Sequence, residues 1–275
     1  MAAVRTGFAE INGARIYYEV AGEGQPFLMV HAGIADKSMW DDQFDFFARD
    51  YQVVRYDMRG FGQSPPVADD YQRHEDMRAL LDFLDIDRAY LMGCSMGGGA
   101  CMNFALEYPN RTDALIMVGS APVGFSYDAW SPSPLDEEMD AAYEKGDLER
   151  ANEVAVRIFV DGKGRAPDQV DPALRQKVYD MNKIALRNMA LLGTDVPLAA
   201  SAASRIGELK LPVLVVIGDL DEEYIMRAAD FMVSGIAGAR KVVMPGTAHL
   251  PNMEFPDAFN AHVKAFLDSL PKNSL

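Results

Sequence analysis

Apolar positions along this chain fall into two rhythms. Residues 8–11 and 16–20 are strand-like, and Asn12-Gly13 between them favours a two-residue turn, which predicts an antiparallel hairpin at a sheet edge. Residues 27–30, 53–56, 89–92, 114–118, 213–217 and 241–244 form apolar runs too continuous for half-exposed strands, and predict strands covered on both faces. Between them the spacing turns helical, at Met77, Leu80, Leu81 and Leu84, over residues 100–106, and again at Phe259, Val263, Phe266 and Leu267. Each parallel step in a sheet needs a crossover connection. The alternation therefore predicts an α/β protein with a mostly parallel sheet flanked by helices.

The pattern breaks over residues 121–205, where strand-like runs give way to stretches rich in Ala, Glu, Met and Leu. Pro122, Pro132 and Pro134 mark the entry, and the strand pattern resumes after Leu211-Pro212. This segment is expected to be an inserted helical cap on a core built from residues 1–120 and 206–275.

Charge narrows the choice of partner. The chain carries 41 acidic and 26 basic residues, a formal charge of -15. Nucleic acid and anionic membranes are held by clustered Lys and Arg, so neither is an expected partner. No apolar run approaches the roughly 18 to 20 residues that span a bilayer. The opening residues also lack the basic start and apolar stretch of a secretory signal, which predicts a cytoplasmic protein. Cys94 and Cys101, the two cysteines, exclude a disulfide framework and a four-cysteine zinc site, and are expected to pack in the core.

The sequence Met92-Gly93-Cys94-Ser95-Met96-Gly97-Gly98-Gly99 contains G-x-S-x-G directly after an expected strand and before an expected helix. Such a turn holds its serine in strained backbone angles, with no room for neighbouring side chains. It also sets the hydroxyl beside the free N–H groups of the helix start, Met96 among them, which can stabilise an oxyanion. The competing structural role for Ser95 is that of a helix N-cap.

A serine hydroxyl needs a base to act as a nucleophile at neutral pH. Of the four histidines, His249 alone follows the last expected strand in a loop, where strand C-termini gather. His74 precedes an amphipathic helix in an acidic, polar setting, His262 lies within the C-terminal helix pattern, and His31 is expected to be structural, with its ring bonded to nearby backbone. The imidazole in turn needs an acid. Asp221 is preferred over Asp219, because the turn residue nearest the strand tends to brace the loop, while Glu222 and Glu223 suit a first helical turn. Gly33, or failing it Ile34, is the expected second oxyanion donor beside Met96.

Chain order and motifs together resemble the α/β-hydrolase superfamily, over the whole chain apart from the cap. Ser95, Asp221 and His249 follow one another in that family's order. Val30-His31-Ala32-Gly33 with Trp40 is similar to its His-Gly oxyanion loop, with Ala32 in place of the usual Gly. Asp57-Met58-Arg59-Gly60-Phe61-Gly62-Gln63-Ser64 matches its Asp-x-Arg-Gly-x-Gly-x-Ser segment, and the run from His249 to Pro256 matches its ending. The resemblance implies that Arg59 and Glu254 are structural and that Asp57 orders the loops around the nucleophile. A serine at the elbow argues against the dehalogenase and epoxide hydrolase branches, whose nucleophile is a carboxylate.

The expected activity is that of a serine hydrolase acting on a small-molecule ester or related acyl compound, with no metal or organic cofactor required. Carbon–carbon bond hydrolase, lactonase and haloperoxidase-like chemistry use the same residues, and a ligand receptor on the same scaffold is the alternative outside enzymes. Ile34, Trp40, Met139 and Tyr143 are the expected pocket lining. Phe159, Tyr179, Met181 and Met189 add to an apolar roof from the cap.

Overall fold

The computed structural model describes residues 3–128 and 131–271. Strands β1 (Arg5–Ile11) and β2 (Ala14–Ala21) form the expected hairpin. Asn12 and Gly13 take φ of 45° and 74°, the left-handed pair that a type I′ turn demands. Then follow β3 (Pro26–Val30), β4 (Gln52–Tyr56), β5 (Ala89–Cys94), β6 (Thr112–Val118), β7 (Val213–Gly218) and β8 (Arg240–Met244). The eight strands make one sheet in the order β1-β2-β4-β3-β5-β6-β7-β8. The hairpin joins antiparallel through β2 and β4, and every pairing from β4 to β8 is parallel.

The helices are α1 (Asp41–Phe47), α2 (Arg73–Phe83), α3 (Met96–Glu107), α4 (Pro134–Glu144), α5 (Leu148–Val156), α6 (Pro172–Met189), α7 (Ala202–Arg205), α8 (Glu223–Gly235), α9 (Pro251–Glu254) and α10 (Pro256–Asp268). None of the described helices is long and apolar enough to cross a membrane. Period-2 alternation along the buried strands divides the core in two. On one face Leu91, Val213, Val215 and Ile217 pack with Leu80 and Leu81 of α2, Phe104 of α3 and Met232 of α8. On the other, Met92, Leu214 and Val216 pack with Phe44 and Phe47 of α1 and Phe259 and Val263 of α10.

One strand departs from expectation. β8 is not covered on both faces: it closes the sheet as an edge, and Arg240, Lys241 and Val243 are exposed. Its apolar run mimics a central strand, while the basic residues suit an open edge that must not pair with another chain.

Helices α4 to α7 lie between β6 and β7. Helix α4 starts in a capping box between Ser133 and Asp136. α5 continues through a π-helical turn, Arg157–Asp161, and is tied to α6 by Asn182, which donates to Asn152 Oδ1 at 2.8 Å. Val156, Val160, Val178 and Met181 of this insert join the same core as β5 and α10.

Because β3 to β8 run parallel, their C-terminal ends meet along one rim. The loops that follow them carry Gly33, Asp57, Ser95, Gly119, Asp221 and His249.

Candidate active site

Strand β5 delivers Ser95 into a turn with φ 52° and ψ -118°, a conformation that a non-glycine residue adopts at a cost of about 1–3 kcal/mol. Close packing enforces it. A Cβ on Gly93 would lie 2.3 Å from the Gly97 carbonyl oxygen, and one on Gly97 would lie 2.4 Å from the carbonyl oxygens of Val30 and His31. Helix α3 thus sits against the end of β3 only because these positions lack side chains. The Ser95 N–H donates to Val118 O at 2.9 Å, while its hydroxyl makes no capping bond to α3, which removes the N-cap role.

Across the rim, Asp221 and His249 are both buried, and His249 Nδ1 lies 3.0 Å from each Asp221 carboxylate oxygen. Burial alone would lower the histidine pKa, but the Asp221 charge and hydrogen bond, helped by Glu222, outweigh it and hold the imidazole above its ordinary value. His249 Nε2 is buried and has no hydrogen-bond partner among the described residues. With Nδ1 engaged by the carboxylate, Nε2 is the nitrogen left for a proton transfer. Asp219 is exposed and accepts the Gly246 N–H at 2.6 Å, so it braces the histidine loop rather than its own turn.

Gly33 and Met96 are neighbours: a Cβ on Gly33 would come within 2.7 Å of Met96 Cε. Neither the Gly33 nor the Ile34 amide has an acceptor among the described residues, so both remain candidates for the second oxyanion donor. Ala32, the departure from the usual glycine, is fully buried, with its N–H directed at Met39 Sδ, 3.2 Å away. His31 donates from Nδ1 to Ala32 O at 2.8 Å and accepts the Met58 N–H on Nε2 at 2.9 Å. Burial pushes its pKa down to about 4, so a neutral ring ties the β3 loop to the β4 loop.

Asp57 accepts the Lys37 and Gln63 amides at 2.9 and 2.8 Å, and burial raises its pKa to about 6. Arg59 grips Asp76 through two bonds of 2.6 and 2.8 Å. Glu254 accepts the Ala248 N–H next to His249 at 2.6 Å. Cys94 and Cys101 are free and fully buried, and burial pushes both thiols up.

One neighbour of the site, Gly119, was not anticipated, and another, Phe159, was expected only as part of the apolar roof. Gly119, at φ 50°, leaves room for the histidine: a Cβ there would lie 2.7 Å from His249 O and 3.3 Å from its Nδ1. Its only sequence signal is a glycine at the end of an apolar run. From the insert, Phe159 O accepts the His249 N–H at 3.2 Å and the Phe159 ring stands 5.0 Å from the imidazole.

A cavity of about 240 Å³ opens beside Ser95, lined along α3 by Met96, Gly99, Ala100 and Asn103 and closed by residues that include Arg73 and Asp195. The expected lining residues lie elsewhere. Trp40 is fully buried in the core against Phe259, so its aromatic surface serves packing. Ile34, Met139 and Tyr143 are half-buried and do not line this cavity, and Met189 is 44% exposed on α6.

The profile of the alpha/beta hydrolase fold matches residues 25–155. The chain is 30% identical over 268 residues to a 2-hydroxy-6-oxo-6-phenylhexa-2,4-dienoate hydrolase of Burkholderia cepacia, covering 94% of this chain and 92% of the relative. The chain belongs to the α/β-hydrolase family. A second relative of this α/β-hydrolase, a 2-hydroxy-6-oxononadienedioate/2-hydroxy-6-oxononatrienedioate hydrolase of Comamonas testosteroni, is 29% identical, with 94% and 92% of the two chains covered. Among solved structures, the fold is similar to an enol-lactonase of Burkholderia xenovorans, at TM-score 0.79 and 24% identity over 96% of this chain and all of that one. It is likewise similar to an esterase of Exiguobacterium antarcticum, at 0.79 and 22% over the same shares.

Proposed function

We propose that this α/β-hydrolase cleaves carboxylic esters or related acyl compounds through an acyl-enzyme on Ser95. The observation that carries the reading is the strained, non-capping Ser95 on the same rim as a buried His249–Asp221 pair whose Nε2 is unpartnered. Ser95 Oγ attacks the substrate carbonyl while His249 Nε2 takes its proton, and Asp221 compensates the imidazolium that forms. The Met96 amide, with that of Gly33, donates to the developing oxyanion. Collapse expels the alcohol, protonated by His249. Water then gives its proton to His249, attacks the acyl-enzyme and releases the acid. Two buried free cysteines suit a cytoplasmic setting for this reaction.

A second reading is hydrolysis of a carbon–carbon bond next to a ketone by the same residues, and the likeness to the two dienoate-type hydrolases favours it. In that case the leaving group is protonated at carbon. Parallel assays on aryl esters, lactones and vinylogous diketones separate the two.

The central test compares wild type with Ser95→Ala for short-chain aryl ester hydrolysis and for a fluorophosphonate adduct by intact mass. Both should vanish in the variant. A wild type that neither turns over nor labels would overturn the reading and leave a receptor-like scaffold.

A further inference from the structure

We propose that Gly99 and Val123 set the girth of the acyl group, so that the cavity beside Ser95 takes an unbranched apolar chain and refuses one branched a few carbons from the carbonyl; the inference rests on Ser95 being the nucleophile. Both residues line that cavity together with Ser95.

Gly97, Gly98 and Gly99 follow one another at the start of α3, and packing accounts for the first two. A Cβ on Gly97 would run into the carbonyl oxygens of Val30 and His31, and one on Gly98 into Ser120 Oγ. At Gly99 the same atom would meet Val123 Cγ2 at 3.3 Å and Ala121 O at 3.9 Å and, beyond its chain neighbours and the backbone of its own helix, nothing else within 4 Å. The Gly99 backbone is not left-handed, and its N–H donates to Ser95 O at 3.1 Å as in any helix. Alanine would fit that backbone and favour the helix. The missing side chain therefore does nothing for the fold. What it leaves is space in the cavity, one turn beyond the serine.

Val123 is the wall that faces this bare floor. It is apolar yet 40% exposed, and it lines the cavity. Its backbone is pinned on both sides: Val123 O accepts the Ala203 N–H at 3.1 Å, and the next turn is closed by the Phe125 N–H on Pro122 O at 2.9 Å. Tyr224 of α8 then donates its hydroxyl to Phe125 O at 3.0 Å. A β-branched side chain on a fixed backbone has few rotamers to yield, so the width above Gly99 is set.

His249 protonates the departing group, which places the leaving alcohol on the histidine side of Ser95. Neither His249 nor Asp221 lines the cavity, so it is left for the chain that stays on the serine. One helical turn, about 6 Å, separates Ser95 from Gly99, and an acyl chain lying along α3 passes Val123 a few carbons beyond its carbonyl. The volume of about 240 Å³ lies below the ~300 Å³ where drug-sized pockets begin, which suits one slender chain.

The test measures kcat/KM by pH-stat for methyl heptanoate and its isomer methyl 4,4-dimethylpentanoate, which carry the same carbons and differ in girth. Wild type, Val123→Ala, Gly99→Ala and the double variant are compared, with fluorophosphonate labelling of Ser95 and thermal denaturation as checks on folding. Wild type should prefer the linear ester by about ten- to a hundred-fold. Val123→Ala should lower that ratio by at least about five-fold. Gly99→Ala should melt no lower than wild type and raise the ratio, and adding Val123→Ala should undo the rise, because the methyl group that the new Cβ touches is gone. The matching alcohol pair, hexyl acetate and 3,3-dimethylbutyl acetate, should keep its wild-type ratio in every variant. Should Ser95 label without turnover of these esters, protection from labelling by heptanamide against 4,4-dimethylpentanamide reads the same ratio. A labelled wild type with a ratio near one, a ratio that Val123→Ala leaves in place, a destabilised Gly99→Ala, or a response in the alcohol pair instead overturns the acyl gauge and leaves the serine hydrolase standing. A wild type that neither labels nor hydrolyses overturns both.

Discussion

Arg165 fastens the helical insert to the loop that carries His249, and removing its guanidinium should damage stability and turnover together. Nε donates to Asp161 O at 2.6 Å and Nη2 to Val160 O at 2.8 Å, which caps the π-helical turn. Nη1 reaches Gly246 O at 3.1 Å and Glu254 at 2.6 Å. The other oxygen of Glu254 accepts the N–H of Ala248, the residue before His249. The Glu254 side chain is only 6% exposed and that of Arg165 16%. Arg165→Met keeps the stem and strands the carboxylate, and breaking a buried pair in this way costs about 3–5 kcal/mol. Glu254 retains the Ala248 amide and some contact with water, so about 2–4 kcal/mol is expected, a large share of a typical domain's stability. Urea denaturation measures this loss. In ester kinetics kcat should fall about ten-fold with KM nearly unchanged, because the altered loop holds His249 rather than the substrate. Adding Glu254→Gln removes the stranded charge, and the double variant should regain about 1–2 kcal/mol. If Arg165→Met stays within about 0.5 kcal/mol of wild type and keeps its kcat, the insert does not brace the histidine loop.

Asp221→Asn should lower kcat by about 10³- to 10⁴-fold, since the tautomer and the imidazolium both lose their support. The base must be neutral to act, so the raised His249 pKa puts the acid limb of the pH–kcat/KM profile above the ordinary histidine value of 6.5. Removing the carboxylate leaves burial, which lowers the pKa, and the limb should move to lower pH; an unmoved limb refutes the assignment. Gly119→Ala adds a Cβ that would lie 2.7 Å from His249 O at φ 50°. The left-handed backbone alone costs about 1–2 kcal/mol, so thermal denaturation should show at least that loss along with a fall in kcat. Wild-type behaviour would mean that β6 does not set the histidine's position.

The strands were legible because their signals are local. Asn12-Gly13 makes its turn with neighbours on either side, and the continuous apolar runs follow from burial on both faces. β8 was misjudged because an apolar run does not say whether a further strand lies beside it. Ser95 was legible for a related reason: the glycines that permit its strained turn are within a few residues of it. Asp221 could be preferred to Asp219 on turn chemistry, but the contact that distinguishes them is made to another loop.

Trp40, expected at a pocket and found in the core, shows the opposite limit: a large aromatic serves either purpose, and only its neighbours decide. Gly119, Arg165, Arg73 and Asn103 carry no distinguishing local pattern at all. Their partners are brought by separate strands or by the insert, as when Arg165 meets Glu254 across 89 positions of chain. Hydrophobic period and turn chemistry act over a few residues, so the sequence by itself determined the α/β layering, the elbow serine and the loops that reach the rim. Hydrogen bonds, ion pairs and cavities depend on ångström-scale distances between remote segments, and those only the packed tertiary structure decided.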